Sequence, residues 1–253
     1  MQLPDHHRPA LLVVPTYNEA EGIDLLLDRA LATDPTLEVL VVDDGSPDGT
    51  GALVAHRASS EERLHLLSRE SKLGLGSAYL AGFRYGLAGG YQLFLEMDAD
   101  LSHDPADITR LIEATRQAGL AIGSRYVEGG AIEGWSSSRH LLSLCANRYS
   151  RAMLGFPIRD STSGFRCYRR EVLEAVNLES IDSEGYAFQI DLAYRAWKLG
   201  FDVVEIPITF KERRAGRSKM STNIILEGVF RVTTWGIQSL LRRLGERLER
   251  IRR

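Results

Sequence analysis

Unbroken apolar runs alternate with clusters of turn formers through the first half of the chain. Ala10-Leu-Leu-Val-Val14 is continuous and is stopped by Pro15, the pattern of a strand buried on both faces. Ile23, Leu26, Leu27, Ala30 and Leu31 then recur at helical spacing, which predicts a helix from Glu19 to Ala32. Leu37 to Val42 reads as a second buried strand. It runs into Asp43-Asp44-Gly45-Ser46-Pro47-Asp48-Gly49-Thr50, a dense turn, and a helix from Gly51 to Ala58. Leu64 to Leu67 is a third strand. Lys72-Leu-Gly74-Leu-Gly76 is a glycine-spaced loop that opens a helix reaching Leu87. The apolar strand beginning at Tyr91 leads straight into Asp98-Ala99-Asp100, followed by a helix from Pro105 to Gln117 and a strand at Leu120 to Ile122.

Such alternation predicts a mostly parallel, Rossmann-like α/β sheet with helices on both faces. Ligands on these sheets bind beyond the carboxyl ends of the strands. Pro15-Thr-Tyr17-Asn-Glu19, Asp43-Asp44 and Asp98-Ala-Asp100 all stand at strand ends, so three polar clusters are expected at one sheet edge.

The second half is less regular. Gly129 to Ser138 is a glycine- and serine-rich loop, Arg139 to Leu154 a helix, and Ser163 to Tyr168 a strand with Phe165 and Tyr168 as core or wall residues. A helix from Ala187 to Leu199 carries Asp191. Val203 to Phe210 reads as an edge strand because Pro207 interrupts it. Lys211 to Ser221 is a basic loop, and a long helical pattern runs from Thr222 to Leu248. The expected division is a catalytic domain over 1–222 and an amphipathic, basic helix over 223–253.

At 253 residues the chain can bury one large core, and its 44% hydrophobic and 26% charged content is ordinary. A net charge of −3 argues against nucleic acid as a partner. Cys145 and Cys167 form no C-x-x-C and are expected to pack in a reducing compartment. Met1 to Pro9 has no apolar core of a signal, and no apolar run is long enough to span a bilayer, so no transmembrane helix is expected. After Leu240 come Arg242, Arg243, Arg247, Arg250, Arg252 and Arg253 against Glu246 and Glu249. With Trp235, that basic end fits an interfacial helix on anionic headgroups; packing of the helix on its own domain fits equally well.

Asp98 and Asp100 are spaced to face one way on an extended segment, where two carboxylates repel unless a cation joins them. Mg²⁺ or Mn²⁺, completed by substrate phosphates, suits such a pair; a capping turn ahead of Pro105 is the plainer alternative. No G-x-G-x-x-G follows the first strand and no Walker A lysine follows a glycine loop. A nucleotide here therefore needs a metal for its diphosphate.

Several stretches together resemble one family. They are Val13-Val-Pro-Thr-Tyr-Asn-Glu19, Val42-Asp-Asp-Gly-Ser-Pro-Asp-Gly-Thr50, Lys72-Leu-Gly-Leu-Gly76, Met97-Asp-Ala-Asp-Leu-Ser-His103, Gly123-Ser-Arg-Tyr126, Ser163-Gly-Phe-Arg166, Tyr186-Ala-Phe-Gln-Ile-Asp191 and Arg213-Arg-Ala-Gly-Arg-Ser-Lys219. In order, over residues 10–225, they resemble the inverting GT-A glycosyltransferases, and among these the dolichol-phosphate (polyprenol-phosphate) mannose synthases. The resemblance implies a GT-A fold and inverting transfer of mannose from GDP-mannose to a polyprenyl phosphate, using Mg²⁺ or Mn²⁺ on Asp98 and Asp100. It implies that Pro15, Tyr17, Glu19, Val42 and Asp44 hold the nucleoside, and that Asp98, Ala99 and Asp100 hold metal and diphosphate. Gln189 and Asp191 match the stretch near the sugar, and Arg213 and Lys219 would close over the diphosphate. Arg125 would lie between donor and acceptor phosphates, with Arg139 and Ser143 at the acceptor phosphate. Asp98, Asp100, Arg125 and Asp191 are thus the expected catalytic set.

A phosphate monoester is mostly dianionic at neutral pH, so such a nucleophile needs no dedicated base; a sugar hydroxyl would make Asp191 essential as one. Glu184 stands where some relatives carry a basic residue, which argues against a phosphate contact there. Alternatives are a UDP-glucose or UDP-GlcNAc donor, or a non-catalytic nucleotide-sugar binding module. Expected partners are the two substrates and a membrane surface or small membrane subunit, with a homo-oligomer open. The expected location is peripheral, at the cytoplasmic face of a membrane.

Overall fold

The computed structural model describes residues 9–183, 185–212 and 227–241. Seven strands form the main sheet: β1 (Ala10–Thr16), β2 (Leu37–Asp43), β3 (Leu64–Ser68), β4 (Leu93–Glu96), β5 (Leu120–Ser124), β7 (Arg166–Arg169) and β8 (Val203–Pro207). Their order is β3-β2-β1-β4-β7-β5-β8. β1 pairs in parallel with β2 and β4, and in-register partners such as Thr16 and Asp43 bring the strand ends level. The sheet is mostly parallel, as expected, with one exception. β7 runs antiparallel to both β4 and β5 and separates them. The strand expected from Ser163 begins only at Arg166, because Ser161 to Phe165 cross the sheet edge as a turn whose polar groups bond elsewhere.

Each face of the sheet carries its own core, as the double-sided apolar runs require. Leu11, Val13, Leu40 and Val42 meet Tyr79 and Phe83 of α3 (Leu75–Ala88) and Phe188 of α7 (Gly185–Lys198). Leu12, Val14, Val39 and Val41 meet Leu26 and Leu27 of α1 (Ile23–Leu31), Val54 of α2 (Thr50–Ala58) and Leu111 of α4 (Ile108–Ala114). Phe165 and Tyr168 are both fully buried, on opposite faces. α3 lies directly on β1 because Gly82 and Gly86 have no side chain. A Cβ at Gly82 would stand 2.4 Å from Val13 Cγ1, and one at Gly86 2.5 Å from Phe94 Cε1.

Further boundaries moved for local reasons. α1 starts at Ile23 rather than Glu19, because the Glu19 and Ala20 amides bond Thr50 Oγ1 and Asp48 Oδ2 across the sheet edge. Pro105 to Asp107 form a 3₁₀ turn before α4. Pro207 ends β8 at the sheet edge, and β9 (Thr209–Lys211) leaves to pair with β6 (Ala131–Glu133), a two-stranded arm. α5 (Ser137–Leu154) follows, capped by Ser136, and α6 (Arg170–Ala175) follows β7. Cys167 is buried as expected, whereas Cys145 is exposed on α5 and has no packing role.

A helix over 227–241, here α8, packs one side on the catalytic unit. Val232 is buried, and a Cβ at Gly236 would stand 2.8 Å from the Met153 carbonyl oxygen. Its other side leaves Phe230, Ile237, Leu240 and Leu241 exposed. No helix among the described residues is long and apolar enough to cross a membrane.

Candidate active site

The carboxyl ends of β1, β2 and β4 open onto a cleft of about 430 Å³. Pro15, Tyr17, Glu19, Asp44, Asp98, Ala99, Asp100, Arg139 and Gln189 all line it. The order within this edge comes from short-range polar contacts. Asn18 takes a left-handed backbone (φ 59°), and its amide donates to Ser46 Oγ. Asp43 does not face a ligand: it accepts from Thr16 Oγ1 at 2.9 Å and from the Ser46 amide at 3.0 Å, tying β1 to the turn after β2. Asp44 reaches the cleft, accepting from Arg69 Nε at 2.6 Å and the Leu73 amide at 3.2 Å, and so anchors the glycine-spaced loop to the same wall. Lys72 of that loop lies over the Tyr17 ring, 4.5 Å from its centroid, and lines the cleft as well.

Asp98 and Asp100 share the cleft by a different route from the one expected. β4 ends at Glu96, and the two acids sit on a turn rather than on a strand extension. The turn is fixed by Asp100 Oδ1, which accepts from the Ser102 amide at 3.0 Å and hydroxyl at 2.5 Å, and by a left-handed Leu101. Among the described residues no group of three or more His, Cys, Asp or Glu side chains could hold a metal by itself. Two carboxylates opening onto a cleft of nucleotide size fit a hard cation that completes its shell with phosphate oxygens.

The floor is buried and charged. Glu96 is inaccessible and its carboxyl is pushed up to about 8, burial outweighing the pull of the nearby Arg166 charge. It is neutral at pH 7. Gln189 lies beside it without hydrogen-bonding geometry, and both its amide atoms lack a partner among the described residues. Arg166, also inaccessible, donates to the Ser163, Gln189 and Ser161 carbonyls, fixing the crossing turn against α7.

A second pocket of about 100 Å³ adjoins the first, and Arg139, Thr162 and Tyr186 line both. Arg125, Arg139 and Ser143 meet there, against apolar walls from α5 and α8 that include Leu142, Val229 and Val232. Arg125 does not reach the first cleft. Asp160 grips it through its amide at 2.9 Å, Nε at 2.7 Å and Nη2 at 2.6 Å, and Thr162 Oγ1 accepts from Nη2 at 2.8 Å. Burial disfavours the charged guanidinium, but the adjacent Asp160 carboxylate outweighs burial and holds it above its ordinary value. Arg139 donates to Glu212 Oε1 at 2.9 Å, and Ser143 Oγ accepts from the Tyr126 hydroxyl at 2.8 Å.

Two expected site residues are elsewhere. Val42 is fully buried in the core, since its place in β2 turns the side chain toward α3. Asp191 is buried on α7, held by Arg195 Nε at 2.6 Å and Ser183 Oγ at 3.2 Å, and lines neither pocket. Arg213, Lys219 and Glu184 lie outside the described residues. Lys72, Trp135, Asp160, Thr162 and Tyr186 were not assigned from sequence. Lys72 and Tyr186 open two of the motif stretches but were given no role, whereas Trp135, Asp160 and Thr162 lie in stretches flanking the motifs.

The fold and this cleft define a GT-A glycosyltransferase. The chain belongs to glycosyl transferase family 2, whose profile matches residues 11–176. It is 53% identical over 235 residues to the polyprenol monophosphomannose synthase of Mycolicibacterium smegmatis, covering 92% of this chain and 89% of that protein. It is 48% identical over 238 residues to the undecaprenyl-phosphate mannosyltransferase of Micrococcus luteus, covering 94% and 98%. Among solved structures, glucosyl-3-phosphoglycerate synthase from Mycobacterium tuberculosis with Mn²⁺, UDP and phosphoglyceric acid superposes with a TM-score of 0.66 at 20% identity, over 89% of this chain and 78% of that one. A mannosyltransferase from Pyrobaculum calidifontis with GDP-mannose and Mn²⁺ gives 0.57 at 16% identity, over 94% and 76%.

Proposed function

We propose that this glycosyltransferase moves mannose from GDP-mannose to a polyprenyl phosphate, with inversion and a divalent Mg²⁺ or Mn²⁺. The observation that carries the reading is the junction of two unlike pockets: a wide cleft that carries the carboxylates of Asp98 and Asp100, and a narrower, more apolar pocket holding Arg125, Arg139 and Ser143. A hydrophilic donor and a lipid phosphate need those two environments side by side. The names of relatives aligned over nearly the whole chain support the same acceptor and sugar. The donor identity draws support from a structural neighbour holding GDP-mannose and Mn²⁺.

When bound by Asp98 and Asp100, the cation supplies charge to the diphosphate leaving group. The chain's own part is positioning and electrostatics. Tyr17, Glu19 and Asp44 form the nucleoside end of the cleft, Asp98, Ala99 and Asp100 the diphosphate end, and Gln189 lies toward the sugar. Arg139 stands at the junction of the pockets with its charge toward both. Arg125, locked by Asp160, is a fixed positive charge for the incoming phosphate. The buried Asp191–Arg195 pair leaves no base of that identity in the cleft, which favours a phosphate dianion over a sugar hydroxyl as nucleophile. On their sequence alone, Arg213 and Lys219 are assigned to closing over the diphosphate.

The exposed apolar side chains of α5 and α8, with the arginine-rich end after Leu240, fit peripheral attachment to the cytoplasmic face of a membrane. In this reading α8 walls the acceptor pocket through Gly228, Val229 and Val232 and turns its exposed side to lipid. The test is transfer of radiolabelled sugar to undecaprenyl phosphate from GDP-mannose or UDP-glucose, with and without chelator. Label from GDP-mannose alone, lost with chelator, is the expected result; label from UDP-glucose alone overturns the donor assignment.

A further inference from the structure

Trp135 joins the β6 arm to α5, and the function derived above does not use it. Its ring centroid lies 4.2 Å from the Arg139 guanidinium carbon and 5.4 Å from that of Arg125. Phe210 of the paired strand β9 meets it edge-on at 5.3 Å. The indole Nε1–H is buried and has no partner among the described residues. The residue lines the apolar pocket together with Arg125, Arg139 and Ser143.

A buried donor without an acceptor destabilises a fold, and native chains rarely keep one without a purpose. An indole nitrogen only donates, so its missing partner is an acceptor. Two guanidinium groups against the same ring make that acceptor an anion. The neighbouring hydroxyls have partners of their own. Ser143 Oγ accepts from Tyr126, and Thr162 Oγ1 accepts from Arg125 and from Asn147 Nδ2 at 3.1 Å. Arg139 already rests against one carboxylate, Glu212, so an arriving phosphate exchanges one anion for another.

We propose that Trp135 is a binding residue for the acceptor phosphate: its Nε1–H donates to a phosphate oxygen while its ring holds Arg125 and Arg139 beside the same group. This rests on the acceptor reading above. It adds a selection the arginines alone do not make, since a directional donor on a rigid ring favours a terminal phosphate monoester placed at one point of the pocket.

The test compares the full wild-type chain with Trp135→Phe, which keeps an aromatic face for the arginines and loses the N–H. Calorimetric titration uses farnesyl phosphate, with farnesol as the uncharged control. A lost hydrogen bond to a charged group predicts a rise in Kd for farnesyl phosphate of roughly 10- to 100-fold. Farnesol affinity and the KM for GDP-mannose stay unchanged, and the melting temperature does not fall. Equal affinity of both chains for farnesyl phosphate, an equal loss for farnesol, or no binding of farnesyl phosphate to wild type overturns the assignment. Wild type that binds farnesyl phosphate through Trp135 but transfers no mannose overturns the proposed function and leaves this inference standing.

Discussion

Asp160→Asn is the sharpest probe of how the acceptor side is built. Asp160 is fully buried and Arg125 nearly so, and the carboxylate accepts three hydrogen bonds from that one residue. Asparagine keeps the shape but removes the charge, and its amide nitrogen must face a guanidinium donor. A buried, uncompensated positive charge then remains. Breaking such a pair by removing one partner costs about 3–5 kcal/mol. For a chain of this size each kcal/mol moves the midpoint by about 2–4 °C, so the melting temperature should fall by roughly 6–20 °C. Urea titration followed by circular dichroism at pH 7 measures the free-energy loss, with a lower midpoint and an unchanged slope. Replacing both partners by apolar residues, Arg125→Met with Asp160→Leu, should recover most of the stability while transfer stays lost. An Asp160→Asn midpoint within about 1 kcal/mol of wild type would refute the reasoning, because Arg125 would then find solvent or another anion.

Asp100→Ala should abolish transfer and metal-dependent nucleotide binding while leaving the melting temperature within a few degrees; residual turnover near wild type removes Asp100 from the metal site. Glu96→Gln tests the buried acid. The folded carboxyl keeps its proton to about 8 and the unfolded one releases it near 4.5, so the folded state binds the extra proton between those values. Stability of the metal-free protein should therefore fall as pH rises through that window, by about 1.4 kcal/mol per unit from this group, and level off above it. Urea midpoints from pH 5 to 8 in chelator should show a flatter curve for the variant, its advantage growing with pH; parallel curves would show that Glu96 ionises freely. Phe230→Asp with Leu241→Asp changes two exposed side chains, 72% and 62% accessible, so the fold should be unaffected. Flotation with anionic vesicles should drop several-fold, and equal flotation would show that α8 does not face lipid.

Local pattern determined much of this protein. The double-sided apolar runs, their proline and turn-former endings and the helical spacing between them depend on near neighbours, so β1 to β5, α1 to α4 and the shared edge of their polar ends were legible as elements, though several of their ends moved. Tyr17, Asp44, Asp98 and Asp100 meet at one cleft because parallel register levels the strand ends. Tertiary structure alone decided what depends on distant partners. The reversal of β7 follows from pairing with two strands that its own four residues do not encode. The locking of Arg125 needs an acid 35 positions away. Asp191 has the composition of a site acid, yet Arg195 one turn along its helix holds it out of the cleft. Trp135 reads as a loop aromatic until β6 pairs with β9 and α5 brings Arg139 onto its ring. Short-range periodicity places backbone and polarity; the charge a buried side chain keeps, and what it faces, depend on contacts that exist only once the chain has closed on itself.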